Sequence, residues 1–276
     1  MASGTVLVTG ASTGIGEATA LHLRELGFDV VGGVRKDEDA ERLRGRGLRP
    51  VKLDVTDQEQ IRAAREELGS GPLAGLVNNA GIAVAAPLEF LPIDQLRRQL
   101  EVNLIGQVAV TQAFLPALRA APGRIVNVGS IGGRVALPMV APYAASKFGL
   151  EGISDSLRRE LRPQGIEVIV IEPGGVKTPI WRKGNELASE MTDGMPPDAE
   201  RLYGKLVTAM RRQAAQIESY RGIDPRVVAE TIGEALTTER PRTRYLVGRD
   251  AKLRARMAKV LPDRVMDRLI ARVLAG

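Results

Sequence analysis

Apolar and polar residues follow two rhythms along the chain. Short runs rich in Val, Ile and Leu at residues 5–9, 30–34, 50–53, 74–78, 124–128, 167–171 and 244–247 have the length and composition of buried strands. Between them, apolar residues recur three and four apart, the spacing of one helical face. These stretches are a helix running from the turn after residue 9 through residue 26, then 38–44, 58–68, 93–119 and 143–161. Repeated strand-then-helix order predicts an α/β fold, a single Rossmann-type doubly wound parallel sheet with helices on both faces. No repeat or low-complexity linker interrupts it, so one domain over residues 1–276 is expected.

Residues 179–222 break the rhythm. They hold Trp181, Met191, Met195, Pro196 and Pro197, followed by a helical stretch at 199–219. An insertion after the sixth strand lies at the carboxyl edge of such a sheet, where open α/β folds bind ligands. It is therefore expected to cover a substrate, with Met191 and Met195 as an adaptable apolar lid. A C-terminal extension, 249–276, contributes two more helical stretches, 251–259 and 263–274. In the second, Leu261, Val265, Met266, Leu269, Ile270, Val273 and Leu274 repeat at helical spacing while Arg264, Arg268 and Arg272 line another face. The stripe is expected to pack on the body or on a partner subunit. Peripheral contact with an anionic membrane through this helix is the sharper alternative.

Composition narrows the chemistry. Of 276 residues, 44% are hydrophobic, none is Cys and one is His, His22. Disulfides, Cys nucleophiles, Fe–S clusters and Cys/His zinc sites are thereby excluded, and no metal site is expected. The formal charge of +6 is uneven. Residues 240–276 carry 11 Lys and Arg against 3 Asp and Glu, which leaves the first 239 residues with 28 against 30. Nine aromatic residues offer no stacking platform, so nucleic acid is not an expected partner. Residues 68–88 are uncharged, but their two prolines, four glycines and Asn78-Asn79 read as strand plus loop. Without a signal-peptide pattern, the expected location is cytoplasmic.

The first chemical motif is Thr9-Gly10-Ala11-Ser12-Thr13-Gly14-Ile15-Gly16, between a strand and a helix. Glycines let the chain approach a pyrophosphate, and the helix start aims free N–H groups at it. The second strand ends Gly33-Val34-Arg35-Lys36, with no carboxylate until Asp37. A free ribose 2′-hydroxyl is usually held by an acid there, whereas Arg35 and Lys36 suit a 2′-phosphate. NADP is the expected cofactor, with NAD as the alternative.

Tyr143 and Lys147 stand four apart on one helical face. Ser130 ends the fifth strand, Asn78-Asn79-Ala80-Gly81 ends the fourth, and Asn103 lies in the long helical stretch. Together with the glycine turn, these residues resemble the short-chain dehydrogenase/reductase family over about residues 5–178. The resemblance implies Tyr143 as general acid/base, its phenol lowered by Lys147 and a positive nicotinamide, and Lys147 also holding the nicotinamide ribose. It implies Ser130 on the substrate oxygen, and Asn103 holding a helix open around a water for proton relay. Cofactor contacts would come from Gly10, Ser12, Thr13, Gly14, Ile15, Gly16, Arg35, Lys36, Asp54, Val55, Asn79, Ala80, Gly81, Pro173, Gly174, Val176 and Thr178, besides Tyr143 and Lys147. Asp54 would take the adenine amino group, and its alternative reading is a helix N-cap. Asn79 is expected to be mainly structural, and His22 a packing or surface residue.

The extension beyond Val247 and the Arg35-Lys36 strand end look like the retinol and hydroxysteroid dehydrogenase branch. That implies a hydrophobic secondary alcohol or ketone, steroid- or retinoid-like, touched by residues 131–139 and the insertion. A 3-oxoacyl-carrier-protein reductase and a non-catalytic NADP-binding regulator are the competing readings. The family also implies a homodimer or homotetramer built on helices 93–119 and 143–161.

Overall fold

The seven apolar runs form seven strands of one all-parallel sheet, in the order β3-β2-β1-β4-β5-β6-β7. The structure, a computed structural model, describes residues 3–193 and 197–275. The strands are β1 (Thr5–Thr9), β2 (Asp29–Val34), β3 (Arg49–Lys52), β4 (Leu73–Asn78), β5 (Arg124–Val128), β6 (Glu167–Pro173) and β7 (Arg244–Val247). Near-continuous burial along them follows from helices covering both faces of a parallel sheet. Alternation survives in where each side chain packs: Val6 and Val8 join one core cluster, and Leu7 between them joins the other.

The first cluster lies under α1 (Gly14–Glu25), α2 (Asp37–Gly45) and a helix at Pro225–Thr237. The second lies under α3 (Gln58–Leu68) and a helix at Gly106–Arg119, with Phe114 fully buried. Asp57 caps α3, accepting from Glu59 N and Gln60 N. The helix-cap reading of Asp54 is therefore corrected: its carboxylate turns instead to Thr56 N, 3.0 Å, and Thr56 Oγ1, 2.8 Å.

The expected single helix over 93–119 is three pieces: α4 (Ile93–Leu100), a π turn (Glu101–Ile105) and α5 (Gly106–Arg119). The widened turn carries Asn103, which is fully buried. Helix α6 (Ala141–Leu161) follows β5. The insertion differs more from expectation. It begins with an unforeseen helix, α7 (Ile180–Asp193), before α8 (Pro197–Gln216) and a π turn (Ile217–Arg221). Helix α9 (Pro225–Thr237) was also unforeseen, although Asp224 caps it through Arg226 N and Pro225 opens its first turn.

The extension forms α10 (Arg249–Val260) and α11 (Asp263–Ala275). Ala251 and Ala255 of α10 pack on Ile131, next to Ser130. Asp250 accepts from Gly175 N at 2.9 Å, joining the same helix to the loop after β6. Helix α11 lies beside α8, and Ile270, Val273 and Leu274 face the groove between them. No helix of the described residues is long and apolar enough to cross a membrane. Because all strands run one way, Gly10, Asn79, Ser130 and Gly174 emerge along one edge of the sheet.

Candidate active site

At that edge a cleft of about 350 Å³ runs from the glycine turn to the base of α6. Gly10 and Gly14 have φ of +64° and +61°, left-handed values that side chains resist. Asn79 fixes the turn by donating to Thr9 O, 3.0 Å, and Gly10 O, 3.1 Å, while Thr9 Oγ1 accepts from the Asn79 and Ala80 amides. Every expected cofactor residue except Gly16 lines the cleft. Gly16 is corrected to a packing role: a Cβ there would lie 2.2 Å from Gly10 O and 2.4 Å from Asn79 Nδ2. Its missing side chain is what lets α1 sit against the turn. Thr178 closes the far side, its methyl 3.0 Å from where a Gly14 Cβ would be.

The cleft fits a dinucleotide by its chemistry. The α1 N-terminus faces it at the glycine turn, and Arg35 and Lys36 stand at the end of β2. Arg35 is 3.8 Å from Asp54, so both residues lie at the same end of the cleft. Sequence reasoning missed Glu38 and Asp39, which also line this end, and Arg42, which reaches from α2 to donate to Ser12 O. Asp39 is held by Arg42 at 2.9 Å.

The four expected catalytic residues converge at the inner end. Ser130 caps a short 3₁₀ turn, its hydroxyl accepting from Gly132 N at 3.0 Å. Tyr143 faces it from α6. Burial pushes the Tyr143 phenol up, and the Ser130 hydroxyl bond acts the other way. Lys147 is itself buried and donates from Nζ to Val128 O at 2.7 Å, 5.8 Å from the Tyr143 ring centre. Burial depresses its ammonium to about 8, opposed by the Glu151 carboxylate. Asn103 is one step removed. Its side chain clasps Ile82 through both main-chain groups, at 2.9 and 3.0 Å, and lies 3.3 Å from Ser146 Oγ. Ser146 in turn donates to the Tyr143 carbonyl at 2.7 Å. His22 lies on α1 against Gly233, away from the cleft.

A second, mainly apolar cavity of about 110 Å³ opens from Ser130 and Tyr143. Ile131, Val135, Trp181 and Met210 are among its walls, in keeping with the segments expected to touch substrate. The two methionines of the expected lid are placed as follows. Met191 packs in a separate cluster with Val84, Ala86 and Leu91, Met195 lies outside the described residues, and Met210 takes the position by the cavity.

Residues 4–188 match the short chain dehydrogenase family. The chain belongs to that family. It is an oxidoreductase, and its relatives include retinol dehydrogenase 5 of Mus musculus, 36% identical over 98% of this chain and 88% of that protein. An NADPH-dependent 3-dehydrocapnine reductase of Ornithobacterium rhinotracheale is 34% identical over 95% of this chain and 94% of its own length. A short chain dehydrogenase of Burkholderia cenocepacia, solved in complex with NADP, superimposes with a TM-score of 0.75 at 30% identity, covering 99% of this chain and 98% of that one.

Behind the four expected catalytic residues lies a cluster of charges that motif reading passed over. Glu172, near the end of β6, is fully buried and forked by Arg134, whose Nη2 is 2.8 Å from Oε2. Glu151, one turn beyond Lys147, accepts from Arg244 Nε at 2.9 Å, while its other oxygen is buried without a donor. Burial first, and the Glu172 charge second, push the Glu151 carboxyl up to about 7. A carboxyl whose pKa is raised by folding stabilises the fold fully below about 4.5 and loses that contribution as pH rises through about 7. Glu151→Gln, which donates there without titrating, should show a melting temperature that gains on wild type between pH 5 and 8, a drift worth up to ~3 kcal/mol. Parallel melting curves across that range would contradict the raised Glu151 carboxyl.

Proposed function

We propose that the chain is an NADP(H)-dependent reductase and dehydrogenase acting on a hydrophobic secondary alcohol or ketone. One observation carries this: the cleft lined by the glycine turn and the apolar cavity share Ser130 and Tyr143 in their walls. The cofactor supplies or accepts the hydride, and the protein supplies position and the proton. Ser130 and Tyr143 hold the carbonyl oxygen. Tyr143 gives it a proton in reduction and takes one back in oxidation. Lys147 fixes the ribose hydroxyls and its positive charge offsets the burial that disfavours tyrosinate. Asn103 positions: its amide is committed to Ile82 and Ser146, so its part in proton relay runs through the main chain of the widened turn.

Arg35 and Lys36 support NADP over NAD, as does the NADP held by the Burkholderia cenocepacia relative. The apolar cavity and the resemblance to retinol dehydrogenases support a hydrophobic substrate. A 3-oxoacyl-carrier-protein substrate remains the competing enzymatic reading, and a steroid- or retinoid-like ketone the favoured one. The complete tetrad speaks against a non-catalytic regulator. Exposed Ile105 and Phe148, on the helical segments expected to pair subunits, support a homodimer or homotetramer. Light scattering should return a multiple of 29.7 kDa, and a monomer at micromolar concentration would refute the assembly.

Tyr143→Phe should lower kcat for ketone reduction by about 10²–10⁴ while removing one oxygen atom. Retention of most activity would end the acid/base assignment. Arg35→Asp should lower the NADP/NAD ratio of kcat/KM by about tenfold or more, since a charge-assisted contact is replaced by a like charge. An unchanged ratio would remove Arg35 from cofactor choice.

A further inference from the structure

Arg254 is the outlier among the half-buried arginines. The others each have a partner: Arg65 donates to Gly69 O, Arg124 to Ala235 O, Arg158 to Asp155, and Arg244 to Glu151 and Asp155. Arg211 is also engaged. Arg254 has no hydrogen bond or ion pair among the described residues, yet it is half-buried and lines the apolar cavity that opens from Ser130 and Tyr143. Partial desolvation of an unpaired charge is costly, and a guanidinium cannot shed its proton to escape the cost.

The acidic group nearest in sequence does not relieve it. Asp250 lies one turn earlier on α10 and lines the same cavity, but it accepts from Gly175 N at 2.9 Å and forms no ion pair with Arg254. The polar side chains sharing this cavity are Ser130, Tyr143 and Gln213, none of them anionic in its ordinary state. Around them the walls are Ile131, Val135, Met210 and Ile217. Leu137 and Gln213 line both this cavity and a wider groove of about 1320 Å³ between α8 and α11.

We propose that Arg254 is the anion-recognition residue of the substrate site, and that the substrate is an apolar ketone or alcohol bearing a carboxylate. This deepens the reductase reading and rests on it. A carboxylate suits the guanidinium fork, which offers two parallel N–H donors to two oxygens. The apolar walls take the remainder of the molecule. The C-terminal extension thus sets specificity through α10 as well as bracing Ile131 and Gly175.

Trp181, the chain's one tryptophan, lines the same cavity and reports ligand entry by fluorescence. Decanoate and decan-1-ol are titrated against wild type, Arg254→Gln, Arg254→Lys and the exposed control Arg256→Gln, with and without NADPH. With NADPH present neither ligand can react. Wild type and Arg256→Gln should bind decanoate at least about tenfold more tightly than decan-1-ol. Arg254→Gln should abolish that preference, and Arg254→Lys should keep part of it. No preference in wild type, or the same preference in Arg254→Gln, would overturn the proposal. So would equal loss of both ligands in Arg254→Gln and Arg254→Lys, which marks packing rather than charge. Ketone turnover without a decanoate preference would sink the anion site alone. A decanoate preference without turnover of any ketone would sink the reductase reading.

Discussion

The hydrogen bond from Lys147 Nζ to Val128 O, 2.7 Å long, ties α6 to the carboxyl end of β5. A buried ammonium needs an acceptor, and Val128 O supplies it at the sheet edge where the cleft lies. With Lys147 so placed, helical spacing puts Tyr143 one turn nearer the cleft mouth, opposite Ser130 at the end of the same strand. The same burial raises the Tyr143 phenol and depresses the Lys147 ammonium. Ser130 opposes the first shift and the Glu151 carboxylate the second.

The rest of the fold serves that placement at some cost. Arg134 leaves the Ser130 turn to pair with Glu172 on β6, and Glu151 leaves the Lys147 helix to pair with Arg244 on β7. Buried ion pairs of this kind add little net stability, but removing one partner is expensive, so they lock relative positions. They join the Ser130 turn to β6 and α6 to β7. Asn79 and Asn103 do the same for the glycine turn and the Ile82 segment with neutral hydrogen bonds. The site is thus positioned by polar side chains that bond main chain, while the two apolar clusters supply the bulk of the burial.

What sequence could show follows from these interactions. Strands buried on both faces leave apolar runs, so all seven were legible to within two residues. The glycine turn was legible because left-handed φ and close approach exclude other residues at Gly10, Gly14 and Gly16, although Gly16 serves packing rather than the cleft. Tyr143, Lys147, Ser130 and Asn103 were legible only jointly, since each alone is an ordinary residue. Helix α7 was hidden by charged positions such as Arg182, Lys183 and Glu186 among its apolar ones. Helix α9 carried a readable start in Asp224-Pro225. Glu151 with Glu172, and the approach of Asp250 and Arg254 to the substrate cavity, depend on contacts across long stretches of chain that no local pattern records.

On the reductase reading, Lys147 serves the dinucleotide and the helix at once, while Ser130 serves the substrate. NADPH titration of wild type, Lys147→Met and Ser130→Ala separates the two roles. A hydrogen bond from a charged donor is worth about 1.5–3 kcal/mol, so Lys147→Met should bind NADPH roughly 10–100-fold more weakly. Ser130→Ala should stay within about twofold of wild type. Equal affinity in all three proteins would contradict the claim.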